Sequence, residues 1–142
     1  MGELLNRTKL LEREDLQIEK VEFENGDFVF VRQMTGHERD TFEQSLLKKK
    51  RDNKGTIIGY EQATEDFRAK LAVVTMCNEK GDLLLQPADY MLLSTSMSAK
   101  RLEKIINVAQ GLNAISEEDK ENLVKNSEVG LADNSNFDSV EN

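Results

Sequence analysis

Alternating hydrophobic and polar residues predict a β-hairpin at about residues 16–33. The apolar positions of the alternation are Val21, Phe23, Phe28 and Phe30. This period of two is typical of strands with one buried face. Asn25-Gly26 lies between the two runs and favours a two-residue type I′ turn, in which both central residues have positive φ. The second strand is apolar on both faces, so we expect another element or a partner to cover each side.

A helix is predicted to begin directly after the hairpin. Thr35 and Glu38 have the spacing of a capping box, in which each side chain bonds the backbone N–H of the other residue. We expect this helix to continue to about Lys50. Lys48–Arg51 would then lie in its last turn, where cations complement the negative end of the helix dipole. Residues 51–59 are expected to be a polar connector.

Two further amphipathic patterns predict helices later in the chain. One covers Tyr60–Met76, and the other begins after Ser96 or Ser98 and continues to about Asn113. Their expected buried faces are Ala63, Phe67, Leu71 and Val74 in the first helix, and Leu102, Ile105, Ile106, Ala109 and Leu112 in the second. Short helices are predicted to start at Pro87 and after Ser116.

These elements divide the chain into three parts. Residues 1–15 form an N-terminal arm or short helix, residues 16–126 form one domain, and residues 127–142 form a polar tail that we expect to be disordered. The predicted fold class is α+β and mainly helical. The N-terminal β-hairpin is expected to pack on a small bundle of about three to five helices.

The negative charge is concentrated at the C-terminal end. The formal net charge is −8, and residues 117–142 carry eight acids and two lysines, a net of −6. The other 116 residues carry nineteen acids and seventeen bases, a net of −2. The body of the protein is therefore nearly neutral, and the tail is acidic.

Residues suited to catalysis or metal binding are scarce. Cys77 is the single cysteine, which excludes an intramolecular disulfide, and its apolar surroundings indicate a small buried hydrophobe. His37 is the single histidine, and no nucleophile motif accompanies it. Residues 53–56 lack the glycine spacing and Gly-Lys order of a phosphate loop. We therefore predict that the protein is not an enzyme and binds no metal or other cofactor.

The hydropathy of the chain indicates a cytoplasmic protein without membrane contacts. No apolar run reaches the length of about 18 residues that a membrane-spanning helix needs. The first residues also lack the apolar core of a secretory signal.

The basic run Lys48–Arg51, together with Lys54, has two interpretations. Adjacent cations could contact the phosphates of a nucleic acid. However, no aromatic residues interleave with these cations, and the domain as a whole is not basic. These features favour cations at a helix end, or a contact with an acidic patch on a protein partner.

Four segments together resemble the tail assembly chaperones of long-tailed (siphovirus-type) bacteriophages. They are LNRTKLLERE, FVFVRQMTGHERDTFEQSLL, YEQATEDFRAKLAVVTMCNEKGDLLLQPADY and MSAKRLEKIINVAQGLNAISEEDKENLVKN. The resemblance covers about residues 5–126 and is a pattern of the whole chain, because the family has no invariant chemical motif.

The resemblance implies a small helical protein of the host cytoplasm that is absent from the mature virion. Such chaperones are thought to coat the tape measure protein, shielding its long hydrophobic helix, and to recruit tail tube subunits. They commonly self-associate into homo-oligomers. Many are made in two lengths by a ribosomal frameshift, and this chain is similar to the short form.

Partner contacts are expected at the exposed parts of the hairpin and at the basic helix end. The candidate residues are Phe28, Phe30, Arg32, Lys49 and Arg51. Core packing is the alternative interpretation of the two phenylalanines. Two alternative functions stay open: a structural virion component, such as a neck or tail completion protein, and a small nucleic-acid-binding phage protein that uses the Lys48–Arg51 cluster.

Overall fold

The computed structural model of the protein describes residues 2–62, 65–116 and 118–119. The helices in these ranges are α1 (Arg7–Leu10), α2 (Gly36–Gln44), α3 (Phe67–Val73), α4 (Tyr90–Ser96) and α5 (Ala99–Leu112), and a short 3-10 helix, Pro87–Asp89, leads into α4. The strands are β1 (Ile18–Glu22), β2 (Phe28–Arg32), β3 (Leu47–Arg51), β4 (Ile57–Gln62) and β5 (Met76–Cys77). The predicted α+β class is therefore confirmed.

The first sheet contains the predicted hairpin and one further short strand. Its antiparallel order is β1-β2-β5, so β2 is the central strand. Val29 lies opposite Val21 and Val31 lies opposite Met76, and these four side chains share the face that packs on the core. Phe28 and Phe30 point to the other face, because side chains alternate along a strand.

The hairpin loop differs from the predicted type I′ turn. The N–H of Phe23 donates to the carbonyl of Asp27 at 2.8 Å, and the N–H of Gly26 donates to the carbonyl of Phe23 at 3.0 Å. The loop therefore has three residues, and only Gly26, with φ +93°, has left-handed backbone. The same two hydrogen bonds recur around residues 53–55 and 79–81, so one loop design is used three times.

Helix α2 begins as predicted but ends earlier. The Thr35 hydroxyl accepts from the Glu38 N–H at 3.2 Å and Glu38 Oε1 accepts from the Thr35 N–H at 2.9 Å, which confirms the capping box. The helix stops at Gln44, and Lys48–Arg51 lie in strand β3. The prediction of a helix to Lys50 was wrong because β4, rich in β-branched and aromatic residues, pairs with this run.

Helix α3 is shorter than the predicted Tyr60–Met76. Tyr60 belongs to β4, and Met76 belongs to β5, which hydrogen-bonds to β2. Between them, Phe67 and Leu71 occupy the buried face as predicted, whereas Ala63 lies outside the described residues. The amphipathic stripe located the helix, and strand pairing at both sides determined where it stops.

Helix α5 is the centre of the core and matches its prediction. The Ser98 hydroxyl caps it by accepting from the Arg101 N–H at 3.2 Å. Its buried residues include the predicted Leu102, Ile105, Ile106 and Ala109. The helix packs against α3 on one side and against β1 and β2 on the other.

Asn113, directly after α5, fastens the end of the helix to the β2–α2 connection. Its Oδ1 accepts from the Met34 N–H at 2.6 Å. Its backbone carbonyl accepts from the Arg39 guanidinium at 2.8 Å. The chain therefore leaves α5 beside the N-terminal half of α2. The predicted tail, residues 127–142, lies outside the described residues.

Candidate functional site

Arg32 is an internal residue and not an exposed contact. It is 6% exposed, and its guanidinium donates two hydrogen bonds to the carboxylate of Glu38, both at 2.8 Å. A third donor bond, at 2.7 Å, reaches the Gln33 carbonyl. The paired guanidinium lowers the pKa of Glu38, and the carboxylate in turn raises the pKa of Arg32. Arg32 therefore joins β2 to α2, and its predicted exposure is wrong. Partner binding through Arg32 stays a prediction.

Phe28 and Phe30 form a small aromatic patch on the outer face of the first sheet. Their rings meet edge to face, with centroids 5.8 Å apart, and Lys20 Nζ lies 4.2 Å from the Phe28 centroid. Phe28 is exposed, whereas Phe30 is half-buried and lies opposite the buried Cys77. Packing within the sheet thus accounts for Phe30, and Phe28 remains accessible.

Strands β3 and β4 form a separate two-stranded sheet, which we call the basic arm (residues 47–62). Every residue from Leu47 to Ile58 is exposed. The arm is attached to the body through buried Leu46 and through a hydrogen bond of 2.9 Å from Lys70 Nζ to the Ser45 carbonyl. A two-stranded sheet without a buried face is marginal alone, so this arm is suited to gaining stability from a partner.

The pairing of the arm gives its two faces different chemistry. Lys49 lies opposite Tyr60, and Arg51 lies opposite Ile57. These four side chains, together with Leu47, form what we call the mixed face of the arm. Lys48 and Lys50 point to the other face, where Glu61 and Gly59 are their neighbours. The structure therefore brings the two predicted basic residues, Lys49 and Arg51, onto the face that also carries the apolar side chains.

The cations of the arm are not neutralised by neighbouring carboxylates. Within the ranges that the structure describes, Lys48, Lys49, Lys50, Arg51 and Lys54 take part in no ion pair. Arg51 instead donates to the Gly55 carbonyl at 2.8 Å, which holds the loop. The arm contains five bases and two acids, a net charge of +3 in a chain of net charge −8.

Sequence reasoning missed the exposed apolar residues that accompany these cations. Tyr60 is 64% exposed, and Ile57 and Leu47 are also exposed. The signal was present, because Asp52–Gly55 repeats the loop pattern of the first hairpin and is followed by strand-forming residues. Other exposed apolar residues, also missed, are Met91 and Leu92 on α4, and Leu84 before it.

An open depression of about 400 Å³ beside the start of α5 is a weaker candidate. Two of its cations have partners: Lys100 Nζ lies 2.6 Å from Glu24, and the Arg101 guanidinium lies 4.5 Å from the Phe23 ring centroid. The Lys100 ammonium lowers the pKa of Glu24. The lining of this depression therefore mixes cations, acids and an aromatic ring, and much of its charge is used within the lining.

The next observations concern the thiol of Cys77, metal binding and membrane-spanning helices. Cys77 is buried, and burial raises the pKa of its thiol. Among the described residues there is no group of three or more side chains arranged for a metal ion, and no helix long and apolar enough to cross a membrane.

Comparisons with models of protein families, with curated proteins and with solved structures find no match for this chain.

Proposed function

We propose that this protein is a tail assembly chaperone of a long-tailed bacteriophage. In this proposal it binds the tape measure protein and helps to recruit tail tube subunits. The sequence resemblance over about residues 5–126 indicates the family, and the basic arm supports the proposal structurally. An arm with exposed apolar residues and unpaired cations is suited to reversible binding of another protein.

The chemistry of the mixed face indicates what kind of surface it would bind. Leu47, Ile57 and Tyr60 supply apolar contact area, and Lys49 and Arg51 supply positive charge beside it. A helix with an apolar stripe flanked by acidic side chains complements both features. The outer edges of β3 and β4 pair with no further strand in the described part of the chain, and they could add backbone hydrogen bonds to an extended segment.

The remaining parts of the proposal follow from the family. The protein would act in the cytoplasm of the bacterial host, self-associate into oligomers and be absent from the mature virion. Its body would be mainly helical, with the first hairpin on a small bundle of helices. It would need no catalytic residue and no cofactor, because shielding a hydrophobic partner is a binding function.

Co-expression with the tape measure protein of the same phage tests the proposal. We expect the tape measure protein to co-purify with the full chain. We expect the double variant Ile57→Ser/Tyr60→Ser to reduce capture at least about tenfold, which corresponds to about 1.4 kcal/mol. The matched control is Met91→Ser/Leu92→Ser, which removes a more exposed apolar pair on α4. Equal loss in both double variants would argue against the arm as the binding surface.

Purified virions provide a separate test of the chaperone proposal. The chain should be absent from them. If it is present at a fixed ratio to the tail tube protein, the protein is a structural component of the virion and the proposal fails.

Nucleic-acid binding is the second candidate, and one observation favours it. Lys48–Arg51 lie in an exposed two-stranded ribbon beside Tyr60, and such ribbons can enter a DNA groove. Retention on duplex DNA that falls steeply with salt, and is lost in Lys49→Glu/Lys50→Glu, would support this candidate. The net charge of −8 argues against it, because most of the protein repels phosphate.

A further inference from the structure

The five cations of the basic arm lack carboxylate partners in the described part of the chain, and the same chain carries a matching excess of acids. Residues 117–142, which we call the acidic segment, contain eight acids and two lysines. Within this segment, apolar residues are interspersed with the acids at Leu123, Val124, Val129, Leu131, Phe137 and Val140. Charge and apolar content of the segment therefore both complement the mixed face of the arm.

We propose that the acidic segment binds the basic arm of its own chain. Carboxylates of the segment would pair with Lys48–Arg51 and Lys54, and its apolar side chains would cover Leu47, Ile57 and Tyr60. This inference deepens the proposed function and rests on it for its purpose. The arm is the surface that captures the partner, and the segment would occupy it until a partner displaces the segment.

The residues that precede the acidic segment lie beside α2, the helix that leads into the arm. Asn113 is held beside α2 by the hydrogen bond of 2.8 Å from Arg39, and the arm begins three residues after α2 ends. Helix α2 has nine residues and is therefore about 14 Å long. A chain of 26 residues spans about 90 Å when fully extended, so the segment is long enough to reach both faces of the arm.

Attachment to the same chain makes a weak contact effective. Because the two partners belong to one chain, their effective concentration is on the order of millimolar, and the contact needs little intrinsic affinity. Ion pairs at an exposed surface are individually weak and are screened by salt. A segment that occupies the arm until a partner binds must be easy to displace, and a weak contact allows this.

The charge balance also favours this occupant over a nucleic acid. The chain outside the arm carries a net charge of −11, which is −8 less the +3 of the arm, and this charge repels phosphate groups. The apolar residues of the mixed face have no use in a contact with a phosphate backbone. An acidic peptide with apolar side chains contacts both the cations and the apolar residues of the arm.

Paramagnetic broadening in NMR spectra of the full chain tests the contact. A spin label is attached to a cysteine introduced as Asn134→Cys; Cys77 is 1% exposed and does not react. At low salt we expect selective broadening of the backbone amides of the arm. We expect the broadening to disappear at about 1 M salt, where the Debye length is about 3 Å.

Two charge reversals, each in the full chain, separate a specific contact from general attraction. Lys49→Glu/Lys50→Glu should remove the broadening, and these positions face Tyr60 and Gly59, so no acidic residue lies directly opposite the new carboxylates. The matched control is Lys80→Glu/Lys104→Glu, which reverses two exposed lysines elsewhere and should leave the broadening unchanged. Equal broadening in both double variants, or none in the parent protein, would overturn the proposal.

A mixed sample identifies which chain supplies the segment. Spin-labelled protein without isotope is combined with isotope-labelled protein without the spin label. The absence of arm broadening in this mixture supports a contact within one chain, and its presence at the same strength overturns it. None of these measurements involves the tape measure protein, so their failure is distinguishable from failure of the proposed function.

Discussion

The carboxylate of Glu38 accepts two hydrogen bonds from the guanidinium of Arg32, and its Oε1 also accepts from the Thr35 N–H. One side chain therefore caps α2 and neutralises a cation that is 6% exposed. A buried cation without its partner is costly, so this pair holds β2 and α2 in their relative positions.

Replacing Glu38 by Gln should lower the free energy of unfolding by about 2 kcal/mol, because one guanidinium then lacks its counter-charge. Urea denaturation at neutral pH measures the change. The matched control is Glu43→Gln, which disrupts the more exposed Arg39–Glu43 pair and should cost no more than about 0.5 kcal/mol. Equal costs would show that Arg32 does not depend on Glu38.

The same pair should make the stability of the protein depend on pH. The pKa of Glu38 is lowered in the folded state, so its contribution is complete above the unfolded pKa of about 4.3. The contribution is lost as the pH falls through the folded-state value. Between about pH 5 and pH 3 the parent protein should therefore lose more stability than Glu38→Gln. Parallel curves for the two proteins would contradict this. The lowered pKa of Glu24 is common to both and cancels.

Gly81 should tolerate alanine less well than Gly36. Gly81 has φ +88°, and an added Cβ would lie 3.3 Å from Ile18 Cδ1. We expect Gly81→Ala to cost about 1–2 kcal/mol in thermal or urea unfolding, from left-handed backbone strain and this contact. Gly36 opens α2 with no atom near the added Cβ, so Gly36→Ala should be neutral or slightly stabilising. The reverse order would show that the three-residue loop is not maintained.

Gln110 should be replaceable by Met with a gain in stability. The residue is 4% exposed on α5, and neither polar atom of its side chain has a hydrogen-bond partner among the residues that the structure describes. Burying an unpaired amide costs free energy, so Gln110→Met should stabilise the protein by about 1 kcal/mol. Gln33→Met is the control, because that amide bonds the Leu112 carbonyl and the Gln17 N–H. A loss of stability in Gln110→Met would indicate a bound water or partner at this side chain.

The stability of the arm should be almost uncoupled from that of the body. Ile57 and Tyr60 are exposed, so Ile57→Ser/Tyr60→Ser should change the free energy of global unfolding by less than about 0.5 kcal/mol. Hydrogen exchange of the arm amides should nevertheless become faster, because the cross-strand pairs are weakened. A large loss of global stability would mean that the arm packs on the body, and would also weaken the use of this variant in the capture experiment.

Local sequence patterns were sufficient to predict the elements whose stabilising contacts lie within a few residues along the chain. The Thr35–Glu38 capping box and four of the five predicted buried residues of α5 are confirmed, and Ser98 is one of the two residues predicted to cap that helix. Each depends on contacts between residues three to four positions apart or on a periodic apolar face, and both can be recognised from the sequence alone.

Elements stabilised by distant residues were not predictable in the same way. Lys48–Arg51 are compatible with a helix end, and they form a strand because residues 57–62 pair with them. Arg32 is charged, so the sequence alone does not predict its burial. The carboxylate of Glu38, in the first turn of α2, pairs with its guanidinium and explains the burial. Strand pairing and buried charge pairs both require the folded arrangement.

The hydrogen bonds of Asn113 close a long loop of the chain. This loop runs from Met34 to Asn113, and its strand β5 pairs with β2, which precedes the loop. The tip of the arm, near Lys54, lies within the loop, between β3 and β4. A protease cut there would produce two fragments, with β1, β2 and α2 in one and α3, β5 and α5 in the other. Each fragment lacks half of the core, so the nicked protein should stay together as a heterodimer of its own pieces, and new chain ends could be introduced at this point.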